Sequence, residues 1–190
     1  MKIGLFFGSF NPVHTGHMII ANFLGNHTDI DEVWLVVTPQ NPLKQKSNLA
    51  PDHVRLDMVR LAIGDHPGIK ASDIEFSLPI PSYTIDTLKH LDMIYPDHQF
   101  VLVMGGDNLK IFHKWKAYEQ ILEQFEIYVY KRPGYRLGPL KEHASVTILN
   151  APQLMISATY IRENIKLGKS VRYLVPEAVN ELIMSKKLYQ

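Results

Sequence analysis

Gly8-Ser9-Phe10-Asn11-Pro12-Val13-His14-Thr15-Gly16-His17 lies between two apolar segments of different period. Before it, Met1-Lys2-Ile3-Gly4-Leu5-Phe6-Phe7 reads as a short buried strand; after it, Met18, Ile20, Ala21, Phe23 and Leu24 recur at roughly helical spacing, with Gly25 as the expected C-terminal stop. The decapeptide is therefore a strand-to-helix loop. Such a junction leaves backbone N–H groups pointing outward and adds the positive end of the helix dipole, which suits it to holding phosphate. Gly8, Ser9 and Gly16 are small enough to let a ligand approach the backbone, and the N–H groups from Gly8 to Phe10 are the expected anion donors. His14 and His17, three apart at the helix start, can turn both imidazoles to one point just off that end. Two donors able to carry charge, aimed at one phosphate, are what phosphoryl or nucleotidyl transfer requires. A helical His pair can also hold a metal, but no third ligand stands at suitable spacing and the chain has no Cys, so no metal site is expected from protein side chains.

Outward from this loop, strand and helix patterns alternate. Glu32 to Thr38 reads as a buried strand ended by Pro39, followed by a polar loop from Gln40 to Asn48. Ala50-Pro51-Asp52 opens a helix with Val54, Met58, Leu61 and Ala62 on one face and Gly64 as its stop. A weaker strand spans about Ile69 to Phe76, and a helix starts at Ser82-Tyr83-Thr84. Phe100 to Met104 is the clearest central strand; it closes on Gly105-Gly106-Asp107 and leads to a helical region through Trp115 to Phe125. Strands at Ile127 to Tyr130 and Val146 to Leu149 precede two helices, Ser157 to Leu167 and Pro176 to Lys186. This alternation implies an α/β fold: a doubly wound, Rossmann-like parallel sheet with helices on both faces. Ligands of such sheets bind beyond the carboxyl ends of the strands, where strand order reverses. No repeat or composition shift marks a second domain, so residues 1–190 are expected to form one.

Composition narrows the function. Twenty basic against nineteen acidic side chains give a net charge of +1, too weak a field for a protein that grips nucleic acid or an anionic membrane. The absence of Cys excludes disulfides and fits a reducing cytoplasm; the first apolar run is too short for a signal peptide, and no stretch reaches membrane-spanning length. A cytoplasmic protein is expected, with assembly into a homo-oligomer left open.

Ile156-Ser157-Ala158-Thr159-Tyr160-Ile161-Arg162 is the second informative stretch. Ser157 and Thr159 stand at a helix N-terminus, and Arg162 about one turn further in can fork onto phosphate oxygens; an ordinary Ser cap with a surface Arg is the plain alternative. Together, Gly8 to His17 and Ile156 to Arg162 resemble the GSFDPxHxGH and ISSTxIR motifs of the nucleotidylyltransferase superfamily, with Asn11 in place of the usual Asp and Ala158 in place of the second Ser. Pro81-Ser82-Tyr83-Thr84-Ile85-Asp86-Thr87 and Gly105-Gly106-Asp107-Asn108-Leu109, with Phe112 and Trp115, are similar to PSYTxDT and GxDxLxxFxxW of the bacterial nicotinate mononucleotide adenylyltransferases.

That resemblance implies transfer of AMP from ATP, accompanied by Mg²⁺, to nicotinate mononucleotide. It gives His14, His17 and Arg162 to catalysis, and Gly8, Ser9, Phe10, Lys44, Gly105, Asp107, Ser157, Thr159 and Arg162 to ATP and its phosphates. Tyr83, Thr84 and Trp115 fall to the nicotinate: Thr84 and nearby backbone hold its carboxylate, and Trp115 stacks on the ring. Two further departures stand in the substrate loops: Lys116 follows Trp115 where many members have Tyr, and Asn41-Pro42-Leu43-Lys44 replaces a PPHK-like element.

Overall fold

Strand-helix alternation carries through the computed structural model, which describes residues 1–39 and 49–190. Its strands are β1 (Lys2–Gly8), β2 (Glu32–Val37), β3 (Ile69–Ser72), β4 (Gln99–Gly105), β5 (Glu126–Tyr130) and β6 (Val146–Leu149). Its helices are α1 (Thr15–His27), α2 (Asp52–Ile63), α3 (Thr84–Ile94), α4 (Gly106–Ile111), α5 (Tyr118–Gln124), α6 (Ala158–Lys166) and α7 (Glu177–Ser185). Among the described residues the strands form one sheet in the order β3-β2-β1-β4-β5-β6, and every pairing is parallel. The chain builds outward from β1 to β3, then crosses back to β4 on the other side of β1. The crevice beyond the ends of β1 and β4 is thus the point of reversal, and Gly8 and Gly105 end the two strands that flank it.

Alternate residues of the central strands feed two cores. Phe6, Val101 and Val103 pack with Leu24, Met58, Ile161, Val179 and Ile183 on one face; Ile3, Leu5, Leu102 and Met104 pack with Leu88, Leu91, Phe112 and Ile121 on the other. Both faces of the sheet are covered, as a parallel sheet requires. No helix among the described residues is long and apolar enough to cross a membrane.

Local differences from the sequence reading have local causes. Helix α1 runs through Gly25 to His27 and is closed at Thr28, whose hydroxyl donates to the Leu24 carbonyl at 2.6 Å. Strand β3 stops at Ser72, and Ile74–Ser77 is a 3₁₀ turn. The helical region through Trp115 is broken by a second such turn, Phe112–Lys114, and by Ala117 at φ +50°, so that Trp115 sits on a connector between α4 and α5. Gly64 stops α2 as expected, at φ +60° with its N–H on the Arg60 carbonyl.

The buried face of α2 also differs. Leu61 is 42% exposed, while Arg55, which the apolar pattern leaves out, has no exposed surface at all. Its guanidinium donates to the carbonyls of Ser9 (2.6 Å), Thr38 (2.9 Å), Ala50 (3.0 Å) and Pro39 (3.3 Å) and to the Asp52 carboxylate (2.6 Å). Those carbonyls belong to the loop after β1, the end of β2 and the entry to α2. A buried charge is tolerable only when paired and fully hydrogen-bonded, and Arg55 meets that condition by tying three segments together. Arg55→Met is expected to lower stability by about 3–5 kcal/mol, the scale for removing one member of a buried charged network. Urea unfolding measures it; an unchanged midpoint would show that the carbonyls find other donors.

Candidate active site

The loop from Gly8 to His17 is shaped by its own aromatic and imidazole rings. A Cβ at Gly8 would meet the Phe10 ring at 2.8 Å, too close without a shift of that ring, and one at Gly16 would crowd the His14 imidazole at 3.1 Å. Phe10, expected as a backbone donor only, also turns its ring into the core, at φ +44° and 2% exposed. The rings of Phe10 and Phe6 set their edges against His17, with centroids at 5.0 and 5.9 Å.

His14 caps α1 from an extended conformation, and its backbone N–H donates to His17 Nδ1 at 3.1 Å. With Nδ1 accepting, the ring proton of a neutral His17 lies on Nε2. The two imidazoles stack at 3.6 Å, interplanar angle 22°. His14 is buried, its Nδ1 has no hydrogen-bond partner among the described residues, and burial, then the Arg132 guanidinium, push its pKa down to about 4. At neutral pH in the free protein His14 is thus uncharged. Thr15, next in line, spends its N–H on the Leu174 carbonyl at 2.9 Å and its hydroxyl on the Tyr173 carbonyl at 3.1 Å, so the chain's C-terminal part seats the start of α1.

The second phosphate motif meets the first directly. Ser157 caps α6, accepting from the Tyr160 N–H at 3.2 Å, and Arg162 donates to the Asn11 carbonyl at 2.8 Å and to the Thr159 hydroxyl at 3.3 Å. Asn11 is itself a hub: its side-chain oxygen accepts from the Ala50 N–H at 3.0 Å and the Tyr189 hydroxyl at 2.8 Å. Burial raises the Tyr189 pKa, against the pull of Arg162 and Arg55. The carboxyl side of β4 adds Gly105 and Asp107. A Cβ on Gly105 would collide with the Asp107 carboxylate and the Arg132 side chain, and Asp107 is ion-paired with Arg132 at 2.9 Å. Phe6, His14, His17, Tyr130, Arg132 and Ile156 line a cleft between these groups.

Tyr83, Thr84 and Trp115 stand apart from that cleft, at the start of α3 and on the α4–α5 connector. Trp115 packs edge-on against Phe112 with centroids at 5.2 Å, and its buried indole Nε1 has no partner among the described residues. Lys116 joins the two stretches, with Nζ 2.8 Å from the Asp86 carboxylate and 4.6 Å from the Tyr83 ring centroid. Below them Glu75, 2% exposed, accepts from the Thr87 hydroxyl at 2.8 Å; burial raises its pKa while the hydroxyls of Thr87, Thr38 and Ser82 oppose the rise. Lys44 lies outside the described residues.

The structure therefore brings together His14, His17, the Gly8 to Phe10 loop, Ser157, Thr159 and Arg162, with Gly105 and Asp107 joined through Arg132. Sequence reasoning missed Arg55, Arg132, Tyr189 and Glu75. Only Arg132 carried a signal, as the basic residue opening Arg132-Pro133-Gly134 directly after a strand.

Fold and site define a nucleotidyltransferase of the cytidylyltransferase-like class, and that family's sequence pattern matches residues 5–164. Over its whole length the chain is 56% identical to a protein of Cytophaga hutchinsonii, covering 98% of it, and 52% identical to one of Flavobacterium johnsoniae, covering 100%; both are named probable nicotinate-nucleotide adenylyltransferase. The chain belongs to the nicotinate-nucleotide adenylyltransferase family. Its fold matches the Plasmodium falciparum nicotinic acid mononucleotide adenylyltransferase complexed with NaAD, with a TM-score of 0.85 at 21% identity over 99% of this chain and 97% of that one.

The Asn11 side-chain oxygen accepts from two donors, the Ala50 N–H and the Tyr189 hydroxyl. Asn11→Ala, which strands both, is expected to lose about 1–3 kcal/mol of stability. An unchanged midpoint in thermal unfolding would contradict that role. His14 supplies a pH test. Its folded pKa lies below the unfolded value of 6.5, so between about pH 6.5 and 4 the unfolded chain binds more protons and stability falls as pH falls. The loss attributable to His14 is about 3 kcal/mol. Denaturation of wild type and His14→Gln across this window should show a shallower slope in the variant; parallel slopes would remove His14 as its source.

Proposed function

We propose that the protein transfers AMP from ATP to the phosphate of nicotinate mononucleotide, giving deamido-NAD and pyrophosphate. The observation that carries this reading is the bond from Arg162 to the Asn11 carbonyl, which sets the two phosphate-binding stretches against each other at the reversal point of the sheet. The names of the full-length relatives supply the acceptor.

The acceptor phosphate is already anionic, so the reaction needs neither a general base nor a covalent intermediate. Catalysis then consists of aligning that phosphate with the ATP α-phosphorus and stabilising the charge that spreads over the transferring group. In this reading His17 Nε2 donates to an α-phosphate oxygen. Stacked beneath it, His14 enters uncharged, and the nearby phosphate charge favours its protonation as the substrates close in. N–H groups of the Gly8 to Phe10 loop hold the anion, while Ser157, Thr159 and Arg162 grip the departing phosphates, with Lys44 approaching them from its loop. Asp107 serves the adenosine side together with Gly105, and Arg132 is shared between Asp107 and the phosphates.

Mg²⁺ accompanies ATP. Among the described residues no three His, Asp or Glu side chains are grouped to hold a metal, and Asp107, next to the cleft, is engaged by the cleft-lining Arg132. Phosphate oxygens and water suit this hard cation as ligands, and when bound it neutralises charge on the leaving pyrophosphate. Tyr83, Thr84 and Trp115 form the acceptor pocket: the N-terminus of α3 faces the ring carboxylate and the indole covers the electron-poor ring. The cytoplasm is the expected compartment.

Pyrophosphate release from ATP and Mg²⁺, measured in parallel with nicotinate mononucleotide, nicotinamide mononucleotide and phosphopantetheine, tests the reading. Marked preference for the nicotinate form is expected; preference for phosphopantetheine would overturn the pocket assignment, and no release with any acceptor would overturn the activity. His17→Ala is expected to lower turnover by roughly 10²–10³, the scale for losing one transition-state donor. Near-normal turnover in a folded variant would exclude His17 from the chemistry.

A further inference from the structure

The pocket proposed for the acceptor has an acidic neighbour. Asp86 lies in the first turn of α3, two residues beyond Thr84. A carboxylate there suits the helix dipole but repels a second carboxylate brought to the same helix end. Lys116 offsets it: the side chain crosses from the connector after Trp115, lies along the Tyr83 ring and puts its ammonium 2.8 Å from the Asp86 carboxylate.

The backbone fixes this reach. Trp115 donates its N–H to the Phe112 carbonyl and Tyr118 to the Trp115 carbonyl, and Ala117 between them is left-handed at φ +50°, so Lys116 projects from a closed turn rather than a loose loop. Both partners are about half exposed, Lys116 at 50% and Asp86 at 49% of side-chain surface, so the pair contributes little to folding. Its consequence lies in what the neighbouring pocket feels: near-zero charge at the mouth with Lys116, one negative charge without it.

We propose that Lys116 is a specificity-determining residue, one that by pairing with Asp86 neutralises the mouth of the acceptor pocket and lets an acceptor with a ring carboxylate bind in preference to the same nucleotide carrying a ring carboxamide. The proposal rests on reading Thr84 and Trp115 as that pocket. The two acceptors differ by one negative charge at the ring substituent, so only the carboxylate form responds to the unpaired Asp86. At a solvent-exposed mouth one charge at a few ångströms is worth roughly a five- to tenfold change in binding, and salt screens it.

Steady-state KM values for nicotinate and nicotinamide mononucleotides, at saturating ATP and Mg²⁺ and at low and high ionic strength, test it in Lys116→Met, Asp86→Asn, Trp115→Ala and wild type. Lys116→Met is expected to raise KM for the nicotinate form about fivefold or more with less than a twofold change for the nicotinamide form. Asp86→Asn should move the ratio the other way, and high salt should shrink the change that Lys116→Met produces. Trp115→Ala should raise KM for both acceptors. If Trp115→Ala raises both while Lys116→Met shifts the two acceptors equally or not at all, the pocket stands and the role of Lys116 is overturned. If Trp115→Ala leaves both unchanged, the pocket itself is refuted and the proposal falls with it.

Discussion

A guanidinium with no exposed surface holds this site in place. Arg55 reaches from α2 to the Ser9 carbonyl in the loop after β1, to Thr38 and Pro39 at the end of β2, and to Ala50 at the entry to α2. Backbone carbonyls that converge on one point at a strand terminus repel each other and lack ladder partners; a planar cation with a fan of donors answers both problems at once. The Ser9 carbonyl is thereby fixed on the Arg55 guanidinium, on the inner side of the loop. The cost of burying the charge is met by hydrogen bonds, so the loop's shape and the protein's stability are one and the same feature.

Asn11 extends that frame to the C-terminal helices. It takes the Ala50 N–H and the Tyr189 hydroxyl on its side chain and Arg162 on its carbonyl, so the β1–α1 loop, the α2 entry, α6 and the chain's last residues converge on one buried amide. The Thr15 contacts with Tyr173 and Leu174 add a second tie between the same parts. The proposed transfer by placement needs the Gly8 to His17 and Ile156 to Arg162 stretches held at fixed separation, and the Arg162 side chain on the Asn11 carbonyl ties them together.

Much of this architecture was legible in the sequence because it is written in local rules. Gly8, Gly105 and Gly64 punctuate the chain where a strand or helix ends, Pro51 and Ser157 stand where helices begin, and the apolar runs of β1, β2 and β4 have no alternative to burial. What escaped depends on partners far along the chain. A period-based reading scores Arg55 as polar and rotates the buried face of α2 toward Leu61; only the four carbonyls, which no pattern locates, explain why an arginine is there. Asn11 departs from the usual Asp, and its side-chain oxygen accepts from Ala50 and from Tyr189, far along the chain. His14 likewise reads as a charge carrier until burial and Arg132 are seen to keep it neutral. The break at Ala117, which presents Trp115 and Lys116 on a turn, is a left-handed residue without glycine and left no mark in the composition.

The central claim is that AMP passes directly from ATP to the acceptor, with the enzyme contributing alignment and charge but no bond of its own. The stereochemistry at phosphorus tests this most directly: the α-thio analogue of ATP, chiral at the α-phosphorus, is converted with nicotinate mononucleotide, and the configuration of the resulting thio-dinucleotide is determined by ³¹P NMR. A single in-line displacement predicts inversion. Retention would require two successive displacements through an adenylylated side chain, and would contradict the account.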